Sequence, residues 1–238
     1  MVGAHEVQYL DRTGCGTEIA SFRFSKPAGY TFEPGQYAVL SLDTAEGPQS
    51  KPFTHAQAPG DDYLEVTTRL SGSAFKNALV ALAPGDRVSI RGPQGRLVAP
   101  PGLMRVAFLV GGVGITPAHS ILRDRVLRGE PFDDAVVFFG NRDDSCIPYR
   151  EELDAMGPMG VRVVNVLEHA PSAWEGETGF VSAQIVRKHL DTTDARTVIV
   201  SGPPVMVVAM ERVLDDLGVD PARRLIERFM PAGGASGA

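Results

Sequence analysis

The sequence predicts two domains: a six-stranded antiparallel β-barrel over residues 1–101, then an α/β domain with a parallel five-stranded sheet over residues 102–238. Three observations carry this. Short β-branched and aromatic runs, punctuated by Pro-Gly turns, fill the first hundred residues. A break with the composition of a linker follows, Val98-Ala99-Pro100-Pro101-Gly102. Beyond it, apolar strands alternate with helical stretches, the rhythm of a parallel sheet covered on both faces.

The barrel strands are expected at Val7–Leu10, Glu18–Phe24, Gln36–Leu42, Pro52–Ala56, Tyr63–Arg69 and Arg87–Arg91. Pro34-Gly35, Pro59-Gly60, Pro84-Gly85 and Gly92-Pro93 are the turn signals between them. One helix interrupts, Ser73 to Leu82, with Phe75, Leu79 and Leu82 apolar. The second half reads as strand–helix pairs: Arg105–Val110 with Thr116–Arg128, Ala135–Phe139 with Tyr149–Ala155, Val161–Leu167 with Val181–Leu190, and Thr197–Val200 with Pro203–Leu217. A last strand, Arg224–Glu227, follows, and the small-residue tail Ala232–Ala238 is expected to be disordered.

Composition narrows the function classes. The formal charge is −6, with 9 basic against 10 acidic residues over 1–99 and 14 against 19 over 100–238, which speaks against nucleic acid as a partner. No run has the length and apolarity of a membrane span, and Met1–Leu10 lacks the pattern of a signal peptide, so a cytoplasmic location is expected. The two cysteines, Cys15 and Cys146, are far apart in sequence, so neither a disulfide nor a zinc site is expected, and no iron–sulfur cluster can be held by this chain alone. The five histidines show no ligand spacing, and His55 reads as a partly exposed strand residue beside Thr54.

The strongest local motif is Gly111-Gly112-Val113-Gly114-Ile115-Thr116-Pro117, between an apolar strand and a helix. Glycines let a backbone approach a phosphate, and the helix start behind them offers free amides and a favourable dipole. Pro117 suits a first helical turn. A second glycine turn, Ser201-Gly202-Pro203-Pro204, ends another strand of the same domain, and open α/β sheets bind ligands at that edge.

With these residues in place the chain resembles the ferredoxin–NADP reductase superfamily across nearly its whole length. Lys51-Pro52-Phe53-Thr54 is similar to the family's flavin motif, and Gly112 to Pro117 to its nucleotide loop. Phe138-Phe139-Gly140-Asn141-Arg142, Tyr149-Arg150-Glu151-Glu152-Leu153, Ser201 to Pro204 and Glu227-Arg228-Phe229 follow in the family's order. The resemblance implies FAD, with FMN as the other possibility. It places Phe53 against the flavin ring, Thr54 near the hydride-accepting N5, Lys51 at the flavin phosphate, Arg69 among the cofactor contacts, and the amides of Ala74, Phe75 and Lys76 at the pyrophosphate. Val113, Thr116, Arg142, Glu168, Gly202, Pro203 and Pro204 are implied on the nucleotide side, with Ser201 and Phe229 beside the nicotinamide. Lys51 stands where the family has arginine, Phe53 where it has tyrosine, and Ser201 where it has cysteine. Lys76 either restores charge to the phosphate site or is a solvated surface lysine. Val166-Leu167-Glu168-His169-Ala170-Pro171 looks like the NADH-using branch, and Trp174 either covers an adenine edge or simply packs.

The function implied is an NADH-preferring flavoprotein reductase that passes electrons to a separate acceptor: a ferredoxin, a cytochrome or an oxygenase component. Two other readings fit the same residues. One is a free-flavin or ferric reductase, with flavin as substrate. The other is a non-catalytic nucleotide-binding subunit, which the serine at position 201 keeps open.

Overall fold

The computed structural model describes residues 3–191 and 195–229, so the expected disordered tail Ala232–Ala238 lies outside the described residues. The first sheet contains β1 (Gly3–Cys15), β2 (Ile19–Ser25), β3 (Tyr37–Thr44), β4 (Gly47–Thr54), β5 (Tyr63–Arg69) and β6 (Arg87–Gln94). Their order is β4-β3-β6-β1-β2-β5, every pairing antiparallel. Alternation drives the arrangement: Ala38, Leu40 and Leu42 of β3 turn inward between half-buried neighbours, and meet Phe22, Phe24, Leu64 and Ile90. Register shifts at Tyr9/Asp11 and Tyr37/Val39 bend the sheet. The result is a half-barrel. In place of a β4–β5 ladder, the Ala56 amide donates to the Glu65 carbonyl at 3.0 Å, and the Glu65 amide to Gln57 Oε1 at 2.8 Å. Helix α1 (Ala74–Val80) starts at Ser73, whose hydroxyl accepts from the Lys76 amide, and it buries Phe75 and Leu79 in the half-barrel core.

The second sheet contains β7 (Arg105–Gly111), β8 (Asp134–Asn141), β9 (Val161–Leu167), β10 (Glu177–Thr178), β11 (Thr197–Gly202) and β12 (Arg224–Arg228), all parallel, in the order β10-β9-β8-β7-β11-β12. Five strands were expected; β10 is the sixth. Only two residues long, it pairs with the end of β9 and is braced by Trp174, whose indole Nε1 donates to the Glu177 carbonyl at 3.0 Å. Trp174 packs against the core, the simpler of its two expected roles.

Helices α2 (Thr116–Arg128), α3 (Arg150–Ala155), α4 (Ala183–His189) and α5 (Pro204–Asp216) complete the layers. Side chains of alternate parity serve opposite faces. Val106, Phe108 and Val110 of β7 pack with Ile121 and Leu122 of α2, while Ala107 and Leu109 pack with Ile185 of α4 and Val207 and Met210 of α5. Burial on both faces is why these strands read as continuous apolar runs.

Three expectations are corrected. β1 runs to Cys15, well past Leu10, and pairs there with β2. Cys15 and Cys146 form a disulfide across 131 residues of sequence, with a Cα–Cα distance of 5.1 Å, so the expectation of unpaired cysteines was wrong. Spacing in sequence says nothing about two loops that the tertiary fold lays side by side. His55 is wholly buried, because its ring packs on Phe32 with centroids 4.2 Å apart and its Nε2 bonds the Tyr30 hydroxyl at 3.0 Å. Among the described residues no helix is long and apolar enough to cross a membrane, and no group of three or more His, Cys, Asp or Glu could hold a metal ion.

Candidate active site between the two sheets

On the barrel side, β4 ends in Lys51-Pro52-Phe53-Thr54. Phe53 is half-buried, with its ring centroid 5.8 Å from that of Phe75 at the start of α1. The Lys76 ammonium lies 4.4 Å from the Phe53 centroid and donates to the Thr68 hydroxyl. Burial, and then the neighbouring Lys51, push the Lys76 ammonium down to about 8. Lys76 is therefore no solvated surface lysine. Among the described residues neither Lys51 nor Lys76 forms an ion pair with an acid. The structure thus gathers Lys51, Phe53, Thr54 and Lys76 on one edge of the half-barrel, with Lys76 over the Phe53 ring and Lys51 near enough to act on its charge. The Lys76 amide is taken by the Ser73 hydroxyl, which leaves those of Ala74 and Phe75 as the open donors of the first turn.

On the nucleotide side, β7 runs into a 3₁₀ turn, Gly112–Ile115, and then directly into α2, with Pro117 in its first turn. Gly112 has φ +51°, a conformation side chains disfavour. A Cβ on Gly114 would collide with the Ser201 carbonyl oxygen. The two glycine turns touch because the Ser201 hydroxyl, wholly buried, donates to the Gly114 carbonyl at 2.7 Å. Thr116 Oγ1 donates to the Val113 carbonyl at 3.1 Å, which fixes the same turn from its other end. Gly202 passes into α5 through Pro203 and Pro204, and its carbonyl accepts the Phe229 amide at 2.9 Å. Gly112, Val113, Gly114, Thr116, Ser201, Gly202 and Phe229 are therefore one cluster at the carboxyl edge of β7 and β11. Ser201 faces into that cluster, where its hydroxyl ties one turn to the other.

Sequence reasoning assigned no role to Glu227. It sits in register with Ser201 across β11–β12, and burial pushes its carboxyl up to about 7, with Oε2 lacking a partner among the described residues. The available signal was its place in the closing Glu227-Arg228-Phe229 motif.

A rim of ion pairs joins the two sides. Arg69, at the end of β5, lies beside Gly112 and gives Nη1 to Glu18 at 2.5 Å. Arg142, just beyond β8, points to the same Glu18 at 3.6 Å. Glu168 follows β9 and meets His169 at 3.7 Å. Asp143 accepts from the Ser145 amide at 3.0 Å and from its hydroxyl; those bonds hold its carboxyl below the usual range.

Beneath the rim, α2 docks on the chain that follows Thr54. His119 Nδ1 donates to the Ala56 carbonyl at 2.7 Å, and the Ser120 hydroxyl to the Gln57 carbonyl at 2.7 Å. Arg123 binds both oxygens of Asp61, each at 2.8 Å. Burial alone would raise the Asp61 carboxyl; Arg123 and the Ala58 amide outweigh it and hold it low. Tyr149, at φ +59°, stacks on His119 with centroids 3.9 Å apart and donates to Glu65 Oε1 at 2.8 Å. Its hydroxyl also bonds Ser21 and Thr67, and burial, then Glu65, raise its pKa well above the ordinary value.

Comparison with known proteins bears directly on this junction. Residues 4–95 match the FAD-binding domain family and residues 108–212 the oxidoreductase NAD-binding domain family. The NADH-cytochrome b5 reductase 1 of Mortierella alpina is 34% identical over 221 residues, covering 89% of this chain and 74% of the relative. The chain belongs to the ferredoxin–NADP reductase superfamily. The fold is similar to that of a ferredoxin NADP+ reductase from Neisseria gonorrhoeae with bound FAD and NADP, which superimposes with a TM-score of 0.83 at 20% identity over 97% of this chain and 100% of that one. The cytochrome b5 reductase domain of Ulva prolifera nitrate reductase gives 0.81 at 18% identity, over 94% and 97%. The chain is an NAD(P)H-dependent flavin oxidoreductase of this superfamily, and the antiparallel half-barrel and the parallel sheet are its two expected halves.

Proposed function

We propose that the chain holds FAD along the edge formed by Lys51, Phe53, Thr54 and the start of α1, takes electrons preferentially from NADH, and hands them to a separate small redox protein. The observation that carries this is the like-charged pair Lys51 and Lys76, with Lys76 over the Phe53 ring. Two ammonium groups, one half-buried and held down to about 8, form a site that a phosphate anion stabilises. The pair supplies the charge that a single arginine gives in the family motif, which answers the departure at position 51. It also favours a retained flavin over a flavin that comes and goes as substrate.

The residues fit the cofactor in kind as well as charge. Phe53 offers a flat apolar face, Thr54 a hydroxyl at the strand end, and Ala74 and Phe75 two amides. Bound FAD would supply a hydride acceptor and would release electrons one at a time. The protein's part is placement. Arg69 and the Gly112–Gly114 turn receive the nucleotide's phosphates, and Gly202, Pro203, Pro204 and Phe229 form the wall of the nicotinamide end. The Ser201 hydroxyl keeps the two turns in contact, so loss of the family's thiol leaves the positioning intact. Glu168, at the carboxyl edge of β9, accepts from ribose hydroxyls and repels a 2′-phosphate, which favours NADH. The names of the relatives point to a cytochrome as acceptor.

The absorption spectrum of the purified protein, before and after NADH, tests the reading. A flavin spectrum bleached by NADH, with FAD released on denaturation, is the expected result. Colourless protein that reduces added flavin would replace it with the free-flavin reading, and recovered FMN would overturn the choice of cofactor.

A further inference from the structure

The hairpin between β1 and β2 carries a single acid, Glu18, that reaches across to the second sheet. Its carboxylate binds Arg69 at 2.5 Å and Arg142 at 3.6 Å. The phosphate turn stands at the end of β7, and β8 and β9 lie next in order, so the adenosine end of a nucleotide extends over the ends of those two strands. Arg142 and Glu168 stand there, with Asp143, Asp144 and His169 beside them in the chain. They are neighbours: the Glu168 amide bonds the Asn141 carbonyl at 3.0 Å and the His169 amide the Arg142 carbonyl at 2.7 Å. Yet Glu168 pairs with His169, and Arg142 is drawn to an acid from the other half of the protein. The hairpin is fastened in place, because Cys15, three residues before Glu18, is bonded to Cys146, four residues after Arg142.

We propose that Glu18 is a specificity-determining residue for the nucleotide: by holding Arg142 it withholds from a 2′-phosphate a guanidinium at the adenosine edge, and so adds to the preference for NADH. The inference rests on the nucleotide site proposed above. A guanidinium already paired with a carboxylate offers a phosphate fewer donors and less net charge. Arg69 serves parts of the nucleotide that NADH and NADPH share, so its release cancels in the ratio of the two affinities. The side chains of Glu18 and Arg142 are half-exposed or more, which screens the pair and keeps the effect to roughly three- to tenfold.

The test is calorimetric binding of NAD+ and NADP+ to the flavin-loaded wild type, Glu18→Gln and the double variant Glu18→Gln/Arg142→Gln. The ratio of the two dissociation constants should move three- to tenfold toward NADP+ in Glu18→Gln and return in the double variant, with the visible flavin spectrum unchanged. A ratio that does not move in Glu18→Gln overturns the proposal, and so does a shift that persists without Arg142. The wild-type ratio tests the NADH preference by itself. Wild type that favours NADP+ removes that preference, while the change on substitution still decides the role of Glu18.

Discussion

Breaking the Cys15–Cys146 bond should cost a large share of the protein's stability. The bond closes a loop of 131 residues and ties the barrel hairpin to the loop beyond β8. In the chain-entropy account, a loop of that length confines the unfolded chain by about 5 kcal/mol, and native disulfides typically contribute 2–4 kcal/mol. For a chain of this size unfolding in urea with a slope near 3 kcal/mol/M, that range moves the midpoint down by roughly 1 M. Urea unfolding of the oxidised protein, with and without a dithiol reductant, measures the shift. The double variant Cys15→Ser/Cys146→Ser is the control, and its midpoint should match the reduced wild type and ignore reductant. Two free thiols in the oxidised protein after denaturation would refute the bond. An unchanged midpoint after confirmed reduction would refute the reasoning from loop closure.

Two further outcomes follow from individual side chains. Burial, and then Lys26, push His55 down to about 3, so the folded protein keeps it neutral while the unfolded chain takes up a proton below about 6.5. Stability from this group is therefore intact above pH 6.5 and is lost as pH falls toward 3; at pH 5 the loss is about 2 kcal/mol, seen as a smaller drop in urea midpoint between pH 7 and 5 for His55→Phe than for the wild type. Thr54→Val should slow flavin reduction by NADH about ten- to a hundredfold in stopped flow while leaving flavin content nearly intact, since valine keeps the shape and loses the hydrogen bond; an equal rate would remove Thr54 from the reacting centre.

What was legible in the sequence was contiguous. The Gly111–Pro117 turn and the β7–β9 apolar runs each carry their signal within a few residues, so placing them needed no tertiary information; Lys51–Thr54 was legible as a motif, although its strand was expected over Pro52–Ala56 and runs over Gly47–Thr54. The misses share the opposite property. Asp11, Arg12 and Thr13 extend β1 by pairing with β2 although none of them buries an apolar side chain. β10 is too short for any periodicity and exists because β9 offers it an edge. The disulfide, the Glu18–Arg142 contact and the burial of His55 depend on segments far apart in sequence. Lys76 could not be resolved from sequence because its environment on α1 is set by Phe53 and Lys51, residues of β4.

The same dependence explains how the site keeps its geometry. The segment that binds α2, Ala56 to Asp61, begins two residues after Thr54, and the helix that binds it begins two residues after Gly114. Motif and clamp are adjacent on both sides, so little chain lies between a reacting group and the bond that locates it. The clamp is built of a histidine to a carbonyl, a serine to a carbonyl and an arginine forked on a carboxylate. Such bonds are directional, whereas an apolar contact of the same area tolerates sliding of one domain on the other. An error of about 1 Å between donor and acceptor can cost a hundredfold in rate. Polar contacts next to the motifs suit that demand, and they account for why α2 buries His119 and Ser120 where a helix chosen for packing alone would bury leucine.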